Sequence, residues 1–285
     1  MPSKSILVTG CSAGGIGAGL ALALAKRGHH VFATARDTSK IASDLSTLSN
    51  VTVLSLDVTS AESAAAAARA VADSGRGLDI LVNNAGLGHV LPILDLDIDR
   101  AQRVFDTNFW GVVRTVQAFS DLIIASRGRI VNVSSIGSVV NVPWISIYTA
   151  SKAALNNFSE VLRLELAPFG VTVMTVMSGT VDSKWDVNNQ AVNLKPGSRY
   201  EAIRGFIEKW ANGQAKPAGC SIEEYAEVVV GEILGQRSGL VWRGPQSSAI
   251  KFIAHWMPQW VMDYFMSMNQ GLKELSSFVA GGRKD

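Results

Sequence analysis

The chain has 285 residues, 47% of them hydrophobic and 18% charged, enough apolar material for a sizeable buried core and too much for general disorder. Its 26 basic and 24 acidic side chains nearly cancel, and no Lys/Arg run tracks a phosphate backbone, so nucleic acid is not an expected partner. Two cysteines, Cys11 and Cys220, make neither a disulfide framework nor a paired zinc site; a reducing, intracellular setting and no metal are expected.

Short Val/Ile/Leu-rich runs alternate with helical stretches, the pattern of a parallel sheet covered by helices on both faces. Strands are predicted at Ser5–Thr9, His30–Thr34, Thr52–Leu56, Asp79–Asn83, Arg129–Ser134, Val171–Met177 and Gly239–Trp242, about seven in a doubly wound α/β sheet. Met1–Lys4 runs straight into the first of these, with no signal-peptide pattern, so secretion is not expected. The Ala-rich stretch Ser60–Ala72 reads as a crossover helix, because Ala is the best helix former and its flanks are strand-like. After Met177 the pattern loosens, with Asn188, Asn189, Asn193, Pro196 and Gly197 marking an irregular segment before helices near Tyr200–Trp210 and Ile222–Leu234. Residues 183–220 are read as a substrate lid. Residues 247–285 form an aromatic- and Met-rich helical appendage that Pro258 breaks in two. In its second helix Trp260, Val261, Tyr264, Phe265 and Met268 fall on one face. Core or interface packing is favoured for that face over contact with substrate or lipid, and Lys251, His255, Pro258 and Asp263 make a poor membrane span. The whole of 1–285 is read as one dinucleotide-binding catalytic domain.

The first strand leads into Thr9-Gly10-Cys11-Ser12-Ala13-Gly14-Gly15-Ile16-Gly17 and then the helical run Ala18–Arg27. In this context a glycine loop lets backbone N–H groups approach a pyrophosphate. Arg36 ends the second strand where an NAD site usually places a carboxylate, and its planar fork suits a ribose 2′-phosphate, which favours NADP(H). Asp57-Val58 follows the third strand, where Asp57 could contact adenine or simply cap a turn. Asn83-Asn84-Ala85-Gly86 ends the fourth, and Asn108 beside Gly111 is an odd choice for helix stability alone. Val131-Asn132-Val133-Ser134-Ser135 precedes Tyr148-Thr149-Ala150-Ser151-Lys152, which puts Tyr148 and Lys152 on one helical face.

In this order, from about Ile6 to Ser183, these motifs resemble those of the short-chain dehydrogenase/reductase family, with one extra residue in the glycine loop. The resemblance implies a Rossmann-type fold, a homo-oligomer, and Asn108, Ser135, Tyr148 and Lys152 as catalytic residues. Tyr148 would exchange the proton, Ser135 would hold the carbonyl oxygen, Lys152 would lower the phenol's pKa and grip the nicotinamide ribose, and Asn108 would hold a water joining the lysine to solvent. Bringing a phenol of pKa ~10 down by about three units takes roughly 4 kcal/mol. Cofactor contacts are expected at Gly10, Ser12, Gly15, Ile16, Gly17, Arg36, Asp57, Val58, Asn84, Ala85, Gly86, Tyr148, Lys152, Gly179, Val181 and Ser183. Ser178 stands where the family has Pro, with Ser183 offered in place of its Thr.

The glycine loop and the Met-Pro-x-Trp tail also resemble the fungal branch typified by 1-acyl-dihydroxyacetone-phosphate reductase. That branch implies NADPH-dependent reduction of a ketone on a lipophilic chain; Lys184, Lys195, Arg199 and Lys209, in or near the lid, either attract a substrate phosphate or are solvated charges. It also implies a cytoplasmic enzyme whose tail could touch endoplasmic reticulum or lipid-droplet surfaces. The alternatives are a reductase of secondary-metabolite or steroid-like ketones, and a non-catalytic NADP(H)-binding scaffold.

Overall fold

The computed structural model describes residues 2–183 and 192–281. The lid markers Lys184, Asn188 and Asn189 and the last residues of the tail lie outside them. Seven strands form one sheet: β1 (Ser5–Val8), β2 (His30–Ala35), β3 (Val51–Ser55), β4 (Ile80–Asn83), β5 (Arg129–Val133), β6 (Thr172–Ser178) and β7 (Gly239–Arg243). Their order is β3-β2-β1-β4-β5-β6-β7, and every pairing is parallel. The winding reverses between β1 and β4, so the loops leaving those two strands part and leave a crevice at their carboxyl ends.

Side chains alternate across the sheet, as a two-residue repeat requires. Ile6 and Val8 face one core with Leu20, Leu24, Val229 and Ile233. Those four come from α1 (Ile16–Lys26) and α8 (Ile222–Leu234), and α2 (Ser43–Ser46) adds Leu45. Leu7 faces the opposite core with Val71, Phe119, Ile123 and Leu162. These belong to α3 (Ala61–Asp73), α5 (Gly111–Ala125) and α6 (Ser146–Leu166). α3 is the Ala-rich stretch: Ser60 caps it by accepting from the Ser63 amide at 3.1 Å, and Ala64, Ala67 and Val71 turn inward.

Between α4 (Ile98–Phe105) and α5 the chain passes through a π-helical turn, Asp106–Trp110, which contains Asn108. A short 3₁₀ turn at Glu201–Ile203 leads into α7 (Arg204–Ala211). The tail forms α9 (Ser247–Trp256), α10 (Gln259–Ser267), for which Pro258 is the N-cap, and α11 (Leu272–Gly281). Among the described residues no helix is long and apolar enough to cross a membrane.

The tail corrects one expectation. The face of α10 that packs carries Met262, buried, and Met266, whereas Trp260, Tyr264, Phe265 and Met268 are about half exposed or more. The helical wheel grouped the large aromatic residues, but Met262 and Met266, one turn apart, fit the hollow around Met177 and Trp242.

Candidate active site

Gly10, at the end of β1, has φ +76°, and a Cβ there would lie 2.9 Å from the Ala85 Cα, so glycine is required on both counts. Thr9 ties the loop to the next strand's end: its hydroxyl accepts from the Asn84 and Ala85 amides at 2.9 and 3.0 Å, and the Asn84 side chain donates to the Thr9 carbonyl at 2.9 Å. The extra residue is absorbed at Gly14, also at φ +76°, and the widened loop lets the Ala13 amide donate to the Lys40 carbonyl at 2.8 Å. Gly15 is the N-cap of α1, which has no side-chain cap and no acidic residue in its first turn. That bare N-terminus, with Gly15 and Ile16 on the cleft wall, fits a pyrophosphate. Gly17 lies beneath the loop rather than on the wall; a Cβ there would sit 2.4 Å from the Asn84 side-chain nitrogen.

A cleft of about 1890 Å³ runs from this loop across the carboxyl ends of the strands. Ser12, Arg36, Asp57 and Val58 line one end, Asn84–Gly86 the middle, and Ser135, Tyr148, Lys152, Gly179, Val181 and Ser183 the reach beyond. Asp57 also makes the local turn: its carboxylate accepts from the Thr59 amide and hydroxyl at 2.9 and 2.7 Å. Asp37 is engaged by its own loop, accepting from the Ser39 amide and hydroxyl at 3.1 and 2.6 Å. Ser39 and Lys40 line the cleft beside Arg36. The sequence reading missed both, because the only signal for them is the loop insertion that reaches across to Lys40.

Ser134 and Ser135, adjacent in sequence, are separated by their surroundings. Ser134 is buried and donates to the Asn156 side chain at 2.6 Å. Ser135 opens on the cleft; its hydroxyl oxygen accepts from the Gly137 amide at 3.1 Å and shares a hydrogen bond with the Tyr148 phenol. Tyr148 and Lys152 project from the first turns of α6. The Lys152 ammonium donates to the Val133 carbonyl at 2.9 Å, and burial lowers its pKa from 10.5 to about 8. Burial also raises the Tyr148 pKa, with the Ser135 bond opposing. This departs from the expected lowering by Lys152: desolvation dominates, and one of the three ammonium protons goes to a backbone carbonyl.

Asn108 sits behind this group, fully buried. Its oxygen accepts from the Leu87 amide at 2.7 Å, and its amide donates to the Leu87 carbonyl at 2.9 Å and the Ser151 hydroxyl at 3.0 Å. Both amide protons thus go to protein acceptors, and the side chain braces the loop after β4 against α6. The π-helical turn is what swings Asn108 to this position.

The turn after β6 is built without the family's proline. The Ser178 hydroxyl is hydrogen-bonded to the fully buried Tyr225 phenol, and the Gly179 amide donates to the Arg243 carbonyl at 2.8 Å. Gly179 has no room for a side chain, since a Cβ would fall 1.9 Å from the Pro245 carbonyl oxygen.

The protein-family model for short chain dehydrogenases matches residues 4–193. This chain belongs to the short-chain dehydrogenase/reductase family. Family membership makes it an NAD(P)-dependent oxidoreductase, and curated relatives match over nearly the whole length. The short-chain dehydrogenase ptmH of Penicillium ochrochloron is 44% identical over 264 residues, covering 92% of this chain and 96% of the relative. The NADPH-dependent 1-acyldihydroxyacetone phosphate reductase of Schizosaccharomyces pombe is 37% identical over 264 residues, covering 86% and 87%. Among solved structures, a short chain dehydrogenase from Burkholderia cenocepacia in complex with NADP aligns with a TM-score of 0.74 at 26% identity, covering 93% of this chain and 98% of that one.

In this short-chain dehydrogenase/reductase the far end of the cleft is predominantly apolar. Ile136, Val140, Val142 and Ile145 line it from the segment between β5 and α6, Phe206 and Trp210 from α7, and Phe265, Met266 and Met268 from the tail. Of the basic residues expected there, Lys209 lines the cleft, whereas Lys195 donates to the Leu94 carbonyl at 3.3 Å and Arg199 is exposed elsewhere. Lys216, which the sequence reading did not single out, also lines it and lies 3.9 Å from the Asp182 carboxylate.

Proposed function

We propose that the chain reduces a ketone on a bulky, apolar and unphosphorylated substrate to a secondary alcohol, using NADPH. The observation that carries this reading is the convergence of Ser135, Tyr148 and Lys152 on the boundary between the glycine-loop end of the cleft and its apolar end. The preference for NADPH rests on Arg36 lining the cleft while the neighbouring Asp37 carboxylate accepts from Ser39 and lies 3.9 Å from Lys40.

Bound NADPH supplies hydride to the carbonyl carbon. The protein's part is to hold and protonate the oxygen. The Ser135 oxygen accepts from the Gly137 amide, which holds the hydroxyl at the cleft wall beside Tyr148; turning its proton from the phenol to the carbonyl oxygen would let it hold the substrate. Tyr148, kept protonated by burial, donates its phenolic proton as the alkoxide develops. Lys152, charged below about pH 8, stabilises the phenolate left behind, and Asn108 fixes the helix turn that carries both residues through Ser151.

The substrate class follows from the lining: aliphatic, aromatic and Met side chains predominate, and Lys216 is engaged with Asp182. Polycyclic or polyketide-like ketones suit that surface better than an acyl-dihydroxyacetone phosphate, for which Lys209 is the favourable feature. The deciding experiment compares an acyl-dihydroxyacetone phosphate with a panel of unphosphorylated polycyclic and aliphatic ketones, using NADPH and then NADH. Turnover of the unphosphorylated bulky ketones with NADPH is expected; turnover that depends on the phosphate would transfer the assignment to the lipid substrate.

A further inference from the structure

Between α10 and α11 the chain turns sharply at Met268–Gly271, with Asn269 at φ +59° and Gly271 at φ +79°. Gly271 passes so close to Phe206 that a Cβ would lie 2.9 Å from its ring. Gln270, 7% exposed, receives two indole donors in this turn. Trp144 Nε1 donates to its backbone carbonyl at 3.2 Å, and Trp210 Nε1 donates to its side-chain oxygen at 2.5 Å. Trp144 is itself at φ +73°, a conformation a bulky residue seldom adopts without compensation, and it lies four residues before Tyr148. The tail is anchored on both sides of the turn. Met262 and Met266 pack with Met177 and Trp242, and Leu275 packs in the cluster that holds Trp144, Ile207 and Tyr148. Met268, Asn269 and Gln270 themselves line the cleft.

We infer that Gln270 is a specificity-determining residue: by clamping Trp144 and Trp210 it fixes the tail as the far wall of the ketone site and sets the enzyme's preference for bulky ketones. The inference rests on the reductase reading above. Most of the wall is apolar and could slide. The two indole hydrogen bonds are directional, and they join the tail to α7 and to the segment that starts the catalytic helix. Without the side-chain acceptor, Trp210 loses its partner, the turn loosens, and a large ketone loses contacts that a small one never makes.

The test uses the full chain with NADPH and compares Gln270→Met, which keeps length but removes the acceptor, Trp210→Phe, which removes the donor, and Gln270→Glu, which retains an oxygen acceptor. Gln270→Met and Trp210→Phe should lower the bulky-to-small ratio of kcat/KM by about tenfold or more, chiefly by raising KM for the bulky ketone. NADPH affinity should stay within about twofold, and Gln270→Glu should recover most of the ratio. Amide exchange across residues 257–281 should quicken in Gln270→Met. An unchanged ratio, or tail exchange identical to wild type, would overturn the inference. Should the wild type reduce no ketone, the reductase reading fails by itself. The clamp is then judged by tryptophan quenching with a bulky ketone on the NADP⁺ complex, where about tenfold weaker binding by Gln270→Met supports it and equal binding sinks it.

Discussion

Lys152 carries its amine to the Val133 carbonyl through a side chain only 5% exposed, and its pKa of about 8 makes two consequences measurable. The rate of ketone reduction should fall as pH rises through about 8, because the neutral amine no longer stabilises the Tyr148 phenolate; a pH profile flat to pH ~10 would exclude that role. Stability should move the other way. Between about 8 and 10.5 the unfolded chain holds the lysine proton and the folded chain does not, so unfolding free energy rises with pH over that window. The rise from this group is about 3 kcal/mol at most, and it should be missing from the denaturation profile of Lys152→Met. Arg36 is a separate case, an exposed side chain whose value lies in its charge. Arg36→Ala should raise the KM for NADPH by about one to two orders of magnitude and leave that for NADH nearly unchanged, as steady-state kinetics with each cofactor will show.

At the scale of elements, β-runs and glycine punctuation placed the strands to within about a residue, because a short buried strand flanked by turns leaves little freedom of register. Tyr148 and Lys152 were legible for a similar reason: one helical turn separates them, and α6 keeps that turn regular. Features that depend on tertiary shape were not. The pairing of Ser178 with Tyr225 joins residues far apart in sequence, and only the folded turn shows what stands in for the missing proline. The buried face of α10 depended on the hollow it meets, and the π-helical turn at Asn108 has no sequence period of its own. Tyr225→Phe should cost about 1–3 kcal/mol of stability in denaturant titrations, since it leaves the buried Ser178 hydroxyl without its partner.

For the whole molecule, the reversal of strand order between β1 and β4 places the glycine loop, the Asn84–Gly86 turn and the α6 site along one edge of the sheet. A buried polar chain behind that edge holds it together. Thr115 donates to Asn83, Asn83 to Asn132 and Asn132 to Ser159, at 2.7, 2.9 and 2.8 Å, across the β4–β5 register that pairs Asn83 with Asn132. The apolar end of the cleft adds contributions from α7 and the tail, segments whose sequence indicated greasiness but not which side chains would meet. Trp256 and Trp260 remain 76% and 72% exposed at the α9–α10 corner, outside both satellite cores. The central claim, that this assembly performs proton-coupled ketone reduction at Tyr148, is tested most directly by NADPH-dependent reduction of a polycyclic ketone with wild type and Tyr148→Phe, with NADPH binding titrated for both. Tyr148→Phe should lose turnover by about 10²- to 10⁴-fold while binding NADPH as the wild type does. Turnover by Tyr148→Phe at a comparable rate, or NADPH binding by a wild type that reduces no ketone, would contradict it.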